Sequence, residues 1–333
     1  MPNRYLLTGC AGFIATKVAQ VLLNDGHSVV GIDNLNDAYD PRLKRWRLSA
    51  LQSCKNFQFH EADITDRAAL ERLFAETGSE PPFAAVINLA ARAGVRASVA
   101  NPWVYLQTNC EGTLNLLDRC RATGVPKFVL ASTSSLYGER NPTPYREDAD
   151  TNCPLSPYAA SKKAAEAMAF SYHHLHGIDV SALRFFTVYG PAGRPDMSVF
   201  RFVRRIAEGE PIVVFGDGTQ SRDFTFVDDI AAGVVASLRP LGYEAINLGG
   251  DHVTKLNTVI ETIADLLGKK PMIEYRPAHR ADVSTTWADI SKAGRLLGWR
   301  SQISIEEGLR RCVEWYRENR DFAITVELSD RKE

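Results

Sequence analysis

Thr8-Gly9-Cys10-Ala11-Gly12-Phe13-Ile14-Ala15 is the stretch that decides the fold. It follows an apolar run at residues 4–8 and opens an amphipathic pattern at Phe13. Gly9 permits a tight turn, Gly12 lets the backbone approach a pyrophosphate, and Ala15 is small enough for close helix–strand packing. The helix start, with Phe13 and Ile14, offers N–H groups and a positive dipole end to phosphates. A glycine loop alone is a weak signal, but this one has the preceding strand and following helix that a dinucleotide loop needs. Roughly 20 residues downstream, Gly31-Ile32-Asp33 closes the second apolar run. An acid at that point can bond an adenosine ribose 2′-OH and repels a 2′-phosphate, which favours NAD over NADP. Asp33 also fits a strand-end cap.

Outward from this loop, residues 4–8, 28–32, 57–61, 83–89 and 127–131 read as strands. Helical patterns start near residues 13, 43, 67 and 104, and strand–helix alternation of this kind means parallel strands with crossover helices. A helix at Tyr158 and a strand near 180–185 extend the series. Asp63-Ile64 and Leu89-Ala90-Ala91 follow the third and fourth strands, at the carboxyl ends where open α/β sheets bind ligands. For each of these, close packing is an equally available reading. After Gly190 the chain becomes dense in Pro, Gly and Arg, with shorter elements ending in an amphipathic helix near 305–316 and a charged tail at 329–333 expected to fray. The fold class expected is α/β: a Rossmann-type doubly wound parallel sheet with a smaller C-terminal α/β lobe. Residues 1–185 would form the first unit. Residues 186–333 would form most of the second, with some elements returning to the first.

Composition narrows the function. The 333 residues are 45% hydrophobic and 24% charged, with a net charge of -1, and the pI is near 6.7. This is ordinary globular composition and argues against a general nucleic-acid binder. No apolar run approaches the roughly 20 residues that span a bilayer, and no signal-peptide pattern is seen, so the expected location is cytoplasmic. Six cysteines are scattered and read as buried reduced thiols. No metal site is expected, because the seven histidines lack zinc-like spacing and His173, His174 and His176 suit a helix C-terminus. The basic run Arg42–Arg47 reads as a solvated helix face with an apolar stripe and no binding role.

Ser156-Pro157-Tyr158-Ala159-Ala160-Ser161-Lys162 reads as a helix start, with Ser156 as N-cap and Pro157 at the first helical position. Tyr158 and Lys162 then share one face. An ammonium and the positive helix end both favour a phenolate, so the pair fits a tyrosine tuned to accept a proton near neutral pH. It also fits a half-buried tyrosine over the stem of a surface lysine, and two residues alone favour that plainer reading.

Taken together, the TGCAGFIA loop, Asp33, the segment Ala131-Ser132-Thr133-Ser134-Ser135-Leu136-Tyr137-Gly138 and Tyr158-x-x-x-Lys162 resemble the extended short-chain dehydrogenase/reductase family of sugar-nucleotide enzymes. The resemblance runs from about residue 4 to 320. Arg184-Phe185-Phe186-Thr187-Val188-Tyr189-Gly190-Pro191, continuing into Gly193-Arg194-Pro195-Asp196-Met197, is similar to the UDP-glucuronate 4-epimerase branch, as is the segment 31–37. The resemblance implies a tightly held NAD, a C-terminal lobe for a UDP-sugar, and a homodimer through a helix bundle. It implies Tyr158 as the base at the sugar 4-OH. Lys162 would bind the nicotinamide ribose, and Thr133 would bond the reacting oxygen. Ser134, Ser135 and Thr187 would line the substrate pocket, Arg194 would meet the substrate carboxylate, and Arg222 and Arg280 would hold the diphosphate. The plainer readings are a surface loop arginine for Arg194 and surface ion pairs for Arg222 and Arg280. The reaction implied is NAD-dependent epimerisation at C4 through a 4-keto intermediate.

Two positions depart from the pattern. Ala15 replaces the usual third glycine, and Ala192 stands where these epimerases often carry Trp. The rival activities are UDP-glucuronate decarboxylation, 4-epimerisation of another UDP-hexose and, more remotely, a non-catalytic NAD sensor. A nucleotide-sugar dehydratase usually carries Asp-Glu where this chain has Ser134-Ser135.

Overall fold

The computed structural model describes residues 2–76, 82–278 and 283–328. Its centre is a seven-stranded sheet in which every neighbouring pair is parallel. The first six strands are β1 (Arg4–Thr8), β2 (Ser28–Asp33), β3 (Phe57–Glu61), β4 (Ala85–Asn88), β5 (Lys127–Thr133) and β6 (Asp179–Phe185). Their spatial order is β3-β2-β1-β4-β5-β6, with the strand Tyr243–Leu248 added beside β6. Strand β1 pairs with both β2 and β4. The chain therefore reverses its winding between β1 and β4, where a ligand crevice opens in such sheets.

The strands sit where the apolar runs lie, with two differences that matter for the site. Strand β4 stops at Asn88, so Leu89-Ala90-Ala91 leaves the ladder, while β5 continues through Ser132 to Thr133. The helix expected from about 104 is three pieces: Pro102–Tyr105, a widened π-type turn at Leu106–Glu111, and Gly112–Thr123. Gly112 is pressed against Ile64, whose Cδ1 would lie 2.5 Å from an added Cβ.

Helix α1 (Phe13–Asn24) begins at the glycine loop, and α2 (Pro41–Gln52) starts from an Asp40 cap whose carboxylate accepts the N–H of Arg42 at 2.9 Å. Contrary to the solvated-face reading, Lys44 and Arg47 of α2 are buried. Arg47 falls one turn after Leu43, so it follows the apolar stripe inward.

The later half of the chain contributes to both parts of the molecule. Tyr243–Leu248 completes the main sheet, while Ser198–Glu208, Leu256–Leu267 and Ile305–Glu318 pack Val203, Ile206, Val259, Ile263, Leu309 and Val313 into a separate core. Phe13 of α1 joins that second core. The expected strand near 180–185 is present, and so is the helix near 305–316, which runs on to Glu318.

No disulfide joins the six cysteines, but not all are buried: Cys153 is exposed and Cys54 and Cys110 are intermediate. Among the described residues no helix is long and apolar enough to cross a membrane, and no cluster of three His, Cys, Asp or Glu could hold a metal. The tail 329–333 lies outside the described residues.

Candidate active site

The glycine loop takes its shape from two close approaches. Gly9 has φ +67°, and a Cβ there would stand 2.9 Å from the Ala90 backbone. The N–H of Gly12 closes the turn on the Gly9 carbonyl at 2.7 Å, which leaves no room for a side chain at Gly12. The loop thus packs against the segment leaving β4, and the crevice between them is the floor of a cleft.

That cleft holds about 1100 Å³ of atom-free space, part of it open to solvent. Gly9, Gly12, Phe13, Ile14, Asp33, Asp63, Ile64, Leu89, Ala90, Ala91, Tyr158 and Lys162 all line it, and Arg194 joins them. Asp33 accepts the N–H of Ala11 at 3.2 Å and of Leu35 at 2.8 Å, so its carboxylate braces the glycine loop as well as facing the cleft. Burial works against the charge of Asp63, but hydrogen bonds from Thr65 and Asn34 outweigh it and hold the carboxyl below the usual range. The lining also includes Asn36, Ala38, Tyr39, Lys44, Ala93, Thr108 and Phe185, which the sequence reading missed. Asn36 and Phe185 fall within the stretches 31–37 and 184–191 that carry the resemblance, and Lys44 had a signal as a basic residue adjoining the apolar stripe of α2. Burial pushes its ammonium down to about 8 against the pull of Asp33.

The other end of the cleft is formed by the helix Pro157–His176. Ser156 caps it as expected, its hydroxyl accepting the N–H of Ala159 at 3.2 Å. Lys162 sends its ammonium to the carbonyl of Ala131 at 2.8 Å. Burial drives Lys162 down to about 8, with Glu166 opposing. Burial likewise raises the Tyr158 phenol above its ordinary range, while a hydrogen bond to Thr133 and the charge of Arg194 pull it down. This corrects the expectation of a phenol brought near neutral by Lys162 and the helix end. With the protein groups alone, desolvation dominates both side chains.

The remaining candidates are spread around this centre. Thr133 is buried, is not among the cleft-lining residues, draws the Tyr158 phenol down, and caps the short turn Ser134–Tyr137 by accepting the N–H of Ser135 at 3.1 Å. Ser134 and Ser135 lie in that turn, half-buried and outside the cleft lining. Thr187, on the strand Thr187–Tyr189 beside Phe224–Phe226, lines a small adjoining pocket that shares Phe13 and Arg194 with the cleft. Arg194 is no free surface arginine: Nε and Nη2 grip Asp196 at 3.0 and 2.6 Å, and Nη2 reaches the Ala93 carbonyl at 3.3 Å. Arg222 is on the strand Ser221–Arg222, outside the lining, and donates to the carbonyls of Ser221 at 2.8 Å and Ser284 at 3.3 Å. Arg280 lies outside the described residues.

Next to Arg222, Asp223 is fully buried. Burial raises its carboxyl to about 6, although the N–H groups of Gly250 and Ala288 and the hydroxyl of Thr225 support its charged form. It ties the Arg222 strand to the loops at Gly250 and Ala288.

This arrangement has close counterparts among known proteins. A UDP-glucuronate 4-epimerase from Thermodesulfobacterium geofontis is 56% identical over 325 residues, covering 97% of this chain and 99% of that one. A probable UDP-glucuronate 4-epimerase of Rhizobium meliloti is 39% identical, covering 97% and 99%. Among solved structures, the UDP-glucuronic acid 4-epimerase of Bacillus cereus, in complex with UDP-glucuronic acid and NAD, superposes with a TM-score of 0.88 at 35% identity, covering 95% of this chain and 99% of that one. The family profile described as GDP-mannose 4,6 dehydratase matches residues 6–312, and the chain therefore belongs to that family of extended short-chain dehydrogenases/reductases.

Proposed function

We propose that this chain is an NAD-dependent isomerase that inverts C4 of a UDP-uronic acid, interconverting UDP-glucuronate and UDP-galacturonate. The observation that supports it best is that Arg194 lines the same cleft as Tyr158, Lys162 and the glycine loop. The 56% identical relative named as this epimerase, and the Bacillus cereus complex with UDP-glucuronic acid and NAD, point the same way. Although the family profile carries a dehydratase name, Ser134-Ser135 stands where dehydratases usually carry their acids.

The residues fit NAD. The side-chain-free face at Gly9 and Gly12 and the N-terminus of α1 would take the pyrophosphate, Asp33 the adenosine ribose, and Lys162 the nicotinamide ribose. When bound, NAD supplies the hydride acceptor for C4 and returns that hydride to the other face. Tyr158 takes the 4-OH proton and later gives it back, with Thr133 bonding the same oxygen. Because desolvation holds the free phenol high, extra positive charge beside it is what would make it a base. The 4-keto sugar would turn about its diphosphate, which Arg222 and Arg280 would hold. Asp196 occupies the Nε–Nη2 edge of Arg194 and the Ala93 carbonyl takes the second Nη2 N–H, so a substrate carboxylate would meet Nη1. Residues 1–185 would serve the cofactor and residues 186–333 mainly the sugar nucleotide.

Proton NMR of the purified protein with UDP-glucuronate tests this. UDP-galacturonate is the expected product. A UDP-pentose would favour decarboxylation instead, and unchanged substrate would overturn the reading.

A homodimer is part of the proposal. Trp103 is 72% exposed, and Val99, Leu106 and Phe170 are exposed on helical segments that pack together. Sedimentation should show a dimer that Trp103→Glu disrupts. Six cysteines free of disulfides support a cytoplasmic location.

A further inference from the structure

Arg47 lies in the basic run of α2 that sequence alone assigned to solvent, yet it is only 2% exposed. Its guanidinium reaches three separate segments. Nε and Nη2 donate to the Ala192 carbonyl at 3.0 and 2.6 Å, and Nη2 also reaches the Gly193 carbonyl at 3.1 Å. Nη1 donates to the Tyr39 hydroxyl at 2.8 Å and approaches the Ala11 carbonyl at 3.4 Å. Ala11 belongs to the glycine loop, Tyr39 follows Asp33, and Ala192-Gly193 leads directly into Arg194.

Two observations give this clamp a purpose beyond packing. Ala192 has φ +52°, a left-handed conformation that disfavours any residue with a Cβ. Arg47 aims two N–H groups at the carbonyl of that strained residue. In addition, Arg47, Lys44 and Arg194 all face the ring of Tyr39, at 5.6, 5.2 and 5.6 Å from its centre. Arg47 and Arg194 thus share both a loop and an aromatic partner.

We propose that Arg47 is a specificity-determining, positioning residue: it locks the Ala192–Gly193 turn onto the cofactor loop and thereby sets where Arg194 presents its guanidinium to the substrate carboxylate. This rests on the epimerase reading above. The chemistry makes such control useful. In a 4-keto uronic acid the carboxylate is β to the ketone. If the C5–C6 bond aligns with the carbonyl π system it breaks, carbon dioxide leaves, and the electron pair remains as an enolate that takes a proton at C5. The hydride removed from C4 then reduces the ketone, so no outside reductant is needed and the product is a UDP-pentose. A firmly held carboxylate avoids that alignment.

The test is Arg47→Lys, which keeps the cation and loses the fork. The variant, purified with its bound NAD, is compared with wild type for affinity towards UDP-glucuronate and UDP-glucose and for UDP-pentose formed from UDP-glucuronate. The preference for UDP-glucuronate is expected to fall roughly tenfold or more, with a raised pentose fraction and unchanged UDP-glucose affinity. An unchanged preference and pentose fraction would overturn the proposal, as would a parallel loss of both affinities together with NAD. If Arg47→Lys does not fold, Tyr39→Phe decides by the same criteria, because it removes one partner of the fork and keeps the ring. Wild type inactive on UDP-glucuronate would count against the epimerase reading itself. Activity in wild type without a shift in either variant would count against Arg47 alone.

Discussion

Lys162 gives its ammonium to the backbone carbonyl of Ala131, 2.8 Å away and two residues before the end of β5. Tyr158, one turn earlier on the same helix, is coupled instead to Thr133, two residues further along β5. The helix is thereby pinned to the strand by Lys162, while Thr133 acts on the phenol of Tyr158. Glu166, one turn beyond Lys162, adds a second pin by accepting the Ser132 hydroxyl at 2.6 Å.

Tyr158→Phe removes the proposed proton acceptor and little else. Turnover should fall by about 10²–10⁴, the usual contribution of a positioned acid–base group, while bound NAD is retained. Stopped assays on UDP-glucuronate, with NAD content read by absorbance, check both halves. Undiminished turnover would remove Tyr158 from the chemistry.

The buried lysines make stability depend on pH. Burial brings Lys44 and Lys162 to about 8 from an ordinary 10.5. Between those values the unfolded chain binds more protons than the folded one, so these two residues make stability rise with pH from about 8 to 10.5. Urea midpoints of nucleotide-free protein at pH 8, 9 and 10 should show this rise, and it should flatten in Lys44→Met/Lys162→Met. Parallel slopes in the two proteins would contradict it.

Gly9→Ala places a Cβ 2.9 Å from the Ala90 backbone at a φ of +67°. The loop and the strand-end segment must then separate. NAD titration should show weakened or lost binding, together with a lower thermal midpoint. Wild-type NAD affinity in this variant would mean that the loop is free to rearrange.

Glu166 and Arg184 form a buried pair with Nε and Nη2 donating at 3.0 and 2.9 Å, and Nη1 extends it to the Tyr137 hydroxyl at 3.0 Å. Glu166→Ala strands the guanidinium and should cost about 3–5 kcal/mol in chemical denaturation. Glu166→Leu with Arg184→Met should recover most of that loss. Equal damage from the single and double replacements would show that the pair itself is not the stabilising element.

The cofactor half was largely legible because its information is local. A glycine after a strand, an acid at the end of the next strand and small residues after the fourth are each defined by a few neighbours, and a parallel sheet brings strand ends to one edge. The substrate half was less legible. Arg194 was singled out from its loop, but its grip on Asp196 was not foreseen. Thr133, Ser134, Ser135, Thr187 and Arg222 are not among the residues that line this cleft, and Thr187 lines a small adjoining pocket with Arg194. The charged pattern of α2 misled because charge predicts exposure only where no partner is available. Arg47 finds its carbonyl partners 145 and 146 positions away.

Sequence alone therefore determined six of the seven strands of the sheet, the glycine loop and the helix that carries Tyr158 and Lys162, since backbone conformation and hydrophobic periodicity are short-range properties. Only the tertiary structure decided that Lys162 bonds β5 instead of the phenol, and that burial outweighs the helix end in setting the charge of Tyr158. It alone also decided that Arg47 ties the glycine loop to the turn before Arg194. Desolvation and long-range hydrogen bonding depend on which surfaces meet, and no local pattern encodes that.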